Sequence, residues 1–119
     1  MLPPAARMRH RAEFKAAWRG RRAGRPLLTG GLLLRPGCGE PARVGFVVNR
    51  KVGTAVTRNR VRRRLRHLMR GYLGSLPGGS LLVVRADPRA ATARQADLAA
   101  ELDLVIGTLL RRQGKALRQ

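Results

Sequence analysis

One stretch limits what this chain can fold into more than any other. It is Arg58-Asn59-Arg60-Val61-Arg62-Arg63-Arg64-Leu65-Arg66, preceded by Asn49-Arg50-Lys51-Val52-Gly53-Thr54-Ala55-Val56-Thr57 and followed by His67-Leu68-Met69-Arg70. A solvated basic tail has no use for Val61, Leu65, Leu68, Met69 and Tyr72. A helix that docks on a core along one side and holds guanidinium groups out on the others requires them. At roughly 100° per residue, Val61, Leu65, Leu68 and Tyr72 form one stripe. Asn59, Arg63, Arg66 and Arg70 form the opposite ridge, with Arg60 and Arg64 on one flank and Arg58 and Arg62 on the other. No Asp or Glu occurs from Ala42 to Ala86, whereas a merely solvated helix mixes charge signs at i, i+4. The segment reads as a folded polyanion-binding element, and a bound phosphate lattice would relieve the repulsion among its arginines.

The rest of the composition agrees. Lys and Arg number 26 against 6 Asp and Glu, a formal net charge of +20 on 119 residues. That length suits one compact domain, and that charge points to a nucleic acid or an anionic membrane as partner. Lys occurs only at Lys15, Lys51 and Lys115. Arginine contacts phosphate bidentately and stacks on bases, which suits RNA, although GC-rich codon usage also favours it. Apolar residues make up 44% of the chain, which excludes a disordered tail. The single Cys38 excludes an internal disulfide or a cysteine-based metal site and fits a reducing compartment. No apolar run reaches membrane-spanning length and no signal-peptide pattern opens the chain. A cytoplasmic location with no membrane partner is expected.

Turn signals and periodicity divide the chain into a single α+β domain with a small mixed sheet and packed helices, in the order α-β-β-α-β-α. Residues 1–9 form a flexible basic arm, and a basic tail begins at Gly114. A short helix over 10–19 carries Phe14 and Trp18 at i, i+4 and closes at Gly20. A basic loop over 20–26 follows. The strand over 27–35 contains Gly30-Gly31, marking a bulge or a close approach of another backbone. Residues 36–41 form a turn. The strand over 42–49 has few polar breaks and is expected to be central and covered on both faces. Gly53-Thr54 caps the basic helix, which runs over 55–73. A buried strand occupies 80–86. Thr92-Ala93-Arg94-Gln95 fits a capping box opening a helix to about 113, with Leu98, Leu102, Val105 and Leu109 on one face.

Chemistry-bearing clusters are lacking. No group of carboxylates is placed to hold two metals, and His10 and His67 lie in basic helices without an acid/base partner. Neither a helix-turn-helix pair nor dimerisation heptads are evident, which argues against a sequence-specific DNA reader. A membrane-active cationic helix would need the apolar stripe that the core consumes.

Lys51-Val52-Gly53-x-Ala55-Val56-x-Arg58-Asn59-Arg60-Val61-Arg62-Arg63-x-x-Arg66 resembles the signature of the bacterial ribonuclease P protein subunit, with the family's Arg-Asn-Arg motif on Arg58, Asn59 and Arg60. Arg7-Met8-Arg9 followed by Glu13-Phe14-x-x-x-Trp18 and Gly20 resembles the family's opening. Arg43-Val44-Gly45-Phe46-Val47-Val48 leading into Arg50-Lys51 is similar to it too, so the likeness spans about residues 7–112. It implies a fold like the second domain of ribosomal protein S5, with a left-handed β-α-β crossover around the basic helix. It implies one subunit of a ribonucleoprotein endonuclease that removes the 5′ leader of precursor tRNA, with catalysis and Mg²⁺ on the RNA subunit. Lys51, Arg58, Asn59, Arg60, Arg62, Arg63, Arg64 and Arg66 would contact the catalytic RNA. Phe14 and Trp18 would contact the leader. No obligate protein partner is implied. The chain departs from the family at Thr29-Gly30-Gly31, where an aromatic often stands. A non-enzymatic, ribosomal-type RNA-binding protein is the alternative.

Overall fold

The computed structural model describes the backbone of residues 4–8 and 10–118, with side chains as far as Arg111. Its main elements are α1 (Arg11–Arg19), β1 (Arg21–Gly24), β2 (Leu28–Leu33), β3 (Arg43–Val47), α2 (Ala55–Met69), β4 (Leu81–Ala86) and α3 (Gln95–Arg118). The strands form one sheet in the order β1-β2-β4-β3. β1 and β2 make an antiparallel hairpin, β2 pairs antiparallel with β4, and β3 pairs parallel with β4, with α2 as the crossover.

β4 explains the layering. Every residue in it is buried except Arg85, because helices cover both sheet faces. Leu81 and Val83 pack with Met8 and Ala17 on the α1 side. Leu82, Val84 and Ala86 join the larger core on the other side, with Val61, Leu65 and Met69 of α2 and Leu98, Leu102, Val105 and Leu109 of α3. Those three α2 side chains are fully buried, and burial of each contributes about 1.5–3 kcal/mol. Exposed ion pairs contribute about 0–1 kcal/mol each. The apolar stripe, not the charge, therefore holds α2 in place. The stripe centres on Met69 more than expected, leaving Leu68 and Tyr72 half-buried.

Gly30 and Gly31 let two helices approach one strand. A Cβ on Gly30 would lie 2.6 Å from Val105 Cγ1 of α3, and one on Gly31 would lie 2.8 Å from Ala17 O of α1. The close approach expected here is present, and the pair stays in register opposite Val84 and Val83.

Four expectations need correction. The loop over 20–26 contains β1, whose Arg-Arg-Ala-Gly sequence has little strand propensity and pairs because the adjoining hairpin places it beside β2. β3 is an edge strand, not a central one. Its apolar sequence reports coverage of its two faces, by α1 and by the main core, and says nothing of its lateral position. The basic helix ends at Met69 and tightens into a 3-10 turn over Arg70–Ser75. Thr92 closes a separate 3-10 turn, Pro88–Thr92, so the capping-box pattern opens nothing. Asp87 caps that turn by accepting from Arg89 N at 2.9 Å, and Pro88 sets its first position.

The N-terminal segment is laid along β3. Arg7 bridges in parallel to Val44, Met8 N donates to Val44 O at 3.1 Å, and Ala6 and Met8 are buried. The remainder of the expected arm, residues 1–3 and 9, lies outside the described residues. The helical backbone of α3 continues through 114–118 of the expected tail.

Candidate nucleic-acid interface

α2 is launched from a short 3-10 turn, Arg50–Val52. Gly53 follows at φ +152°, a region that side-chain-bearing residues avoid, and Thr54 Oγ1 accepts from Thr57 N at 3.3 Å as the N-cap. Val52 is buried while Asn49, Arg50 and Lys51 are exposed. The turn thus anchors by its valine and presents Lys51 at the mouth of the helix.

The arginines of α2 divide into two sets. Arg60 Nη2 donates to Ala91 O at 3.4 Å and Arg64 Nη1 to Ala93 O at 3.1 Å, which tethers this flank to the segment before α3. Arg58 is half-buried. The other set faces outward. Asn59, Arg62, Arg63, Arg66 and His67 line an open groove of about 540 Å³. Arg62 Nη1 donates to Asn59 Oδ1 at 3.1 Å, which holds the amide and the guanidinium side by side, and Arg62 Nη2 reaches Val48 O at 3.4 Å.

The acids explain why this groove is so positive. Glu13 pairs with Arg43 at 2.8 Å, Glu101 with Arg25 at 2.6 Å, Asp87 with Arg89 at 2.9 Å and Asp97 with Arg94 at 3.1 Å. Glu40 lies 3.3 Å from Arg43, and Asp103 accepts from Tyr72 Oη at 2.9 Å. Burial and the Asp103 carboxylate push the Tyr72 hydroxyl above its usual range. Hydrogen bonds from Arg89 hold Asp87 below the usual carboxylate range. All 6 acids of the chain thus have partners off α2, and among the described residues no ion pair involves an α2 side chain. No three His, Cys, Asp or Glu among the described residues gather as a metal-ligating group. The described residues therefore offer no carboxylate or histidine cluster to hold Mg²⁺.

The two aromatics of α1 lie on the opposite face of the sheet. Phe14 covers Gly45 of β3, where a Cβ would come 2.5 Å from its ring. Phe14 also shares a small cavity with Arg7, Phe46, Arg62 and Arg66, so the edge of β3 links this aromatic to the α2 groove. Phe46, expected in the core, is half-buried and packs against it from that edge. Trp18 packs with two guanidinium groups, with Arg85 Cζ 4.6 Å and Arg22 Cζ 5.3 Å from its ring centre. Sequence reading missed both partners. For Arg85 the signal was available, since it is the only charge in the buried run Leu81–Ala86.

Fold and site together describe a small α+β protein that presents one uncompensated cationic helix face and a separate aromatic pair. The family model for ribonuclease P matches residues 2–110. The ribonuclease P protein component of Thermobifida fusca is 52% identical, over 98% of this chain and 84% of that protein. That of a Nocardioides species is 56% identical, over 87% of this chain and 90% of that protein. Among solved structures, the ribonuclease P protein of Thermotoga maritima superposes with a TM-score of 0.69 at 25% identity, covering 83% of this chain and 94% of that one. The Staphylococcus aureus protein gives a TM-score of 0.76 at 20% identity, covering 87% and 94%. The chain belongs to the ribonuclease P protein component family, and so to tRNA 5′ processing as part of a ribonucleoprotein endonuclease. The ribosomal-type alternative is not favoured. No helix among the described residues is long and apolar enough to cross a membrane.

Proposed function

We propose that α2 docks this chain on the ribonuclease P RNA, and that Phe14 and Trp18 hold the single-stranded 5′ leader of the precursor tRNA. One observation carries the docking half. Asn59, Arg62, Arg63 and Arg66 converge on one groove while every acid of the chain is committed elsewhere. A surface of this kind recognises a backbone lattice by charge and shape rather than by base sequence. Arg63 is exposed, and Arg62 and Arg66 are half-buried at the groove wall. These three, with Asn59, are the direct contacts in this proposal. Arg58, Arg60 and Arg64 set the helix's position and add to its field, and Lys51 extends the surface at the helix start. Their planar guanidinium groups suit bidentate phosphate contacts.

The chemical step belongs to the RNA partner in this proposal. Among the described residues, no cluster of carboxylates and histidines is assembled for acid/base chemistry. Mg²⁺ is assigned to the RNA subunit and substrate, and no step is routed through it on this chain. The chain's part is to bind, to screen phosphate repulsion between RNA and substrate, and to orient the leader. A cytoplasmic site of action goes with that role. The test adds the purified chain to a bacterial ribonuclease P RNA at low Mg²⁺ with a leader-bearing precursor tRNA. A gain in leader cleavage over RNA alone is expected, and no gain would overturn the proposal.

A further inference from the structure

Four side chains of the α2 groove, Asn59, Arg62, Arg63 and Arg66, keep one charge state at any physiological pH. The fifth, His67, lines the same groove and is exposed. Imidazole is the side chain whose charge ordinarily changes between pH 5 and 8. One wall of a surface built from fixed cations therefore carries a group whose charge can follow its surroundings.

Those surroundings are cationic on every side. All five lining residues belong to α2, so no other element places a side chain in the groove. α2 contains no Asp or Glu, and His67 makes no ion pair among the described residues. Arg63, Arg64 and Arg70 lie one helical turn from it, and Arg62 and Arg66 share the groove. Of these, Arg64 is spent partly on Ala93 O at 3.1 Å. One more fixed cation at this position would add to the repulsion in the free chain. A histidine can take up its charge only when an anion arrives to offset it, because an opposite charge in contact favours the charged form of a titratable group. His67 also lies in the last turn of α2, where the carbonyl end of a helix favours a cation. Protonation makes both ring nitrogens donors, whereas a neutral ring keeps one as an acceptor that a phosphate oxygen cannot use.

We propose that His67 is a fifth contact of the docking groove, and that it holds a phosphate of the ribonuclease P RNA as the imidazolium, so that docking takes up one proton from water. This rests on the docking reading of α2 and extends it to a residue that reading leaves idle. The RNA-bound chain holds more protons than the free chain, so docking tightens as pH falls, by at most tenfold per pH unit for one proton. Contact with an opposite charge favours a charged form by about tenfold or more. For an ordinary imidazole, roughly fivefold of that falls between pH 8 and pH 6.

The test measures equilibrium binding of the full chain to a bacterial ribonuclease P RNA at pH 6, 7 and 8, at fixed ionic strength and Mg²⁺. It compares wild type with His67→Gln, His67→Arg, His10→Gln and the Arg63→Ala, Arg66→Ala variant. His67 is exposed, so its replacement leaves the fold intact. Wild type is expected to bind about fivefold more tightly at pH 6 than at pH 8. His67→Gln should lose most of that response and match wild type best at pH 8. His67→Arg should lose the response too, while binding at pH 8 as tightly as wild type does at pH 6. His10, the other histidine, stands at the N-cap of α1, and His10→Gln should keep the wild-type response. An unchanged pH response in His67→Gln, or its loss in His10→Gln instead, overturns the inference. If the Arg63, Arg66 variant still binds more weakly than wild type in that case, the failure belongs to His67 alone. If it binds as wild type does, the docking reading fails with it.

Discussion

Replacing both Arg63 and Arg66 with alanine isolates the electrostatic part of docking. Both side chains line the α2 groove, and neither has an ion-pair partner among the described residues. Their loss therefore removes the proposed RNA contacts without stranding a carboxylate. Each phosphate contact contributes about 0.9 to the slope of log affinity against log salt on a duplex. Two contacts amount to about 1.8 units. Across the fourfold rise from about 50 to 200 mM salt, that slope corresponds to roughly a twelvefold change. The variant should bind ribonuclease P RNA more weakly than wild type at the low end, and the gap should shrink about twelvefold by the high end. Equilibrium binding of the chain to the RNA over a salt series reads this directly. Arg60→Ala with Arg64→Ala is the comparison, because those side chains are spent partly on Ala91 O and Ala93 O. That pair should change the slope less. A wild-type slope in the Arg63, Arg66 variant, or an equal drop in both variants, would refute the division of α2 into a docking side and a tethering side.

Other expectations concern the scaffold. Gly31→Ala forces a Cβ within 2.8 Å of Ala17 O, and overpacking of this kind costs about 1–3 kcal/mol. A lowered Tm is expected, whereas Gly39→Ala, with nothing within 4 Å of its Cβ, should leave it unchanged; equal Tm values would contradict the packing account. Asp87 is held below its ordinary pKa by Arg89, so its pairing stabilises the fold above the unfolded carboxylate pKa and ceases to do so as pH falls through the lowered value. Asp87→Asn should therefore flatten the acid limb of a Tm-against-pH curve, and an unaltered limb would rule the pairing out as a source of stability.

Periodicity made α2 legible, because a helix with one buried stripe writes its geometry into the spacing of Val61 and Leu65, although the stripe then turns onto Met69 rather than Leu68 and Tyr72. The cap at Thr54 was legible for the same local reason. β1 was not, because Arg21–Gly24 pairs only as the first arm of the hairpin with β2 and carries no apolar alternation of its own. The lateral place of β3 was hidden too, since a strand covered on two faces reads alike at the edge and in the middle. In the site, residue types identified the cationic helix and the aromatic pair. Periodicity put Arg60 and Arg64 on a flank and Arg63 and Arg66 on the ridge, but it could not show that the flank is tethered, because that depends on which carbonyls the chain before α3 brings within reach. The bracing of Trp18 by Arg22 and Arg85 joins three elements distant in sequence and becomes visible only when they assemble.

The two outer strands of the sheet have a consequence for the chain before it meets any partner. A sheet edge is a row of unpaired backbone groups that can recruit another chain and seed aggregation. β3, with its apolar sequence, is the more hazardous edge, and Arg7 and Met8 lie along it at Val44. β1, at the other side, carries the exposed Arg21 and Arg22. A second copy approaching either margin would bring arginine against arginine. The charge that suits this protein to RNA thus also works against edge-to-edge pairing between copies.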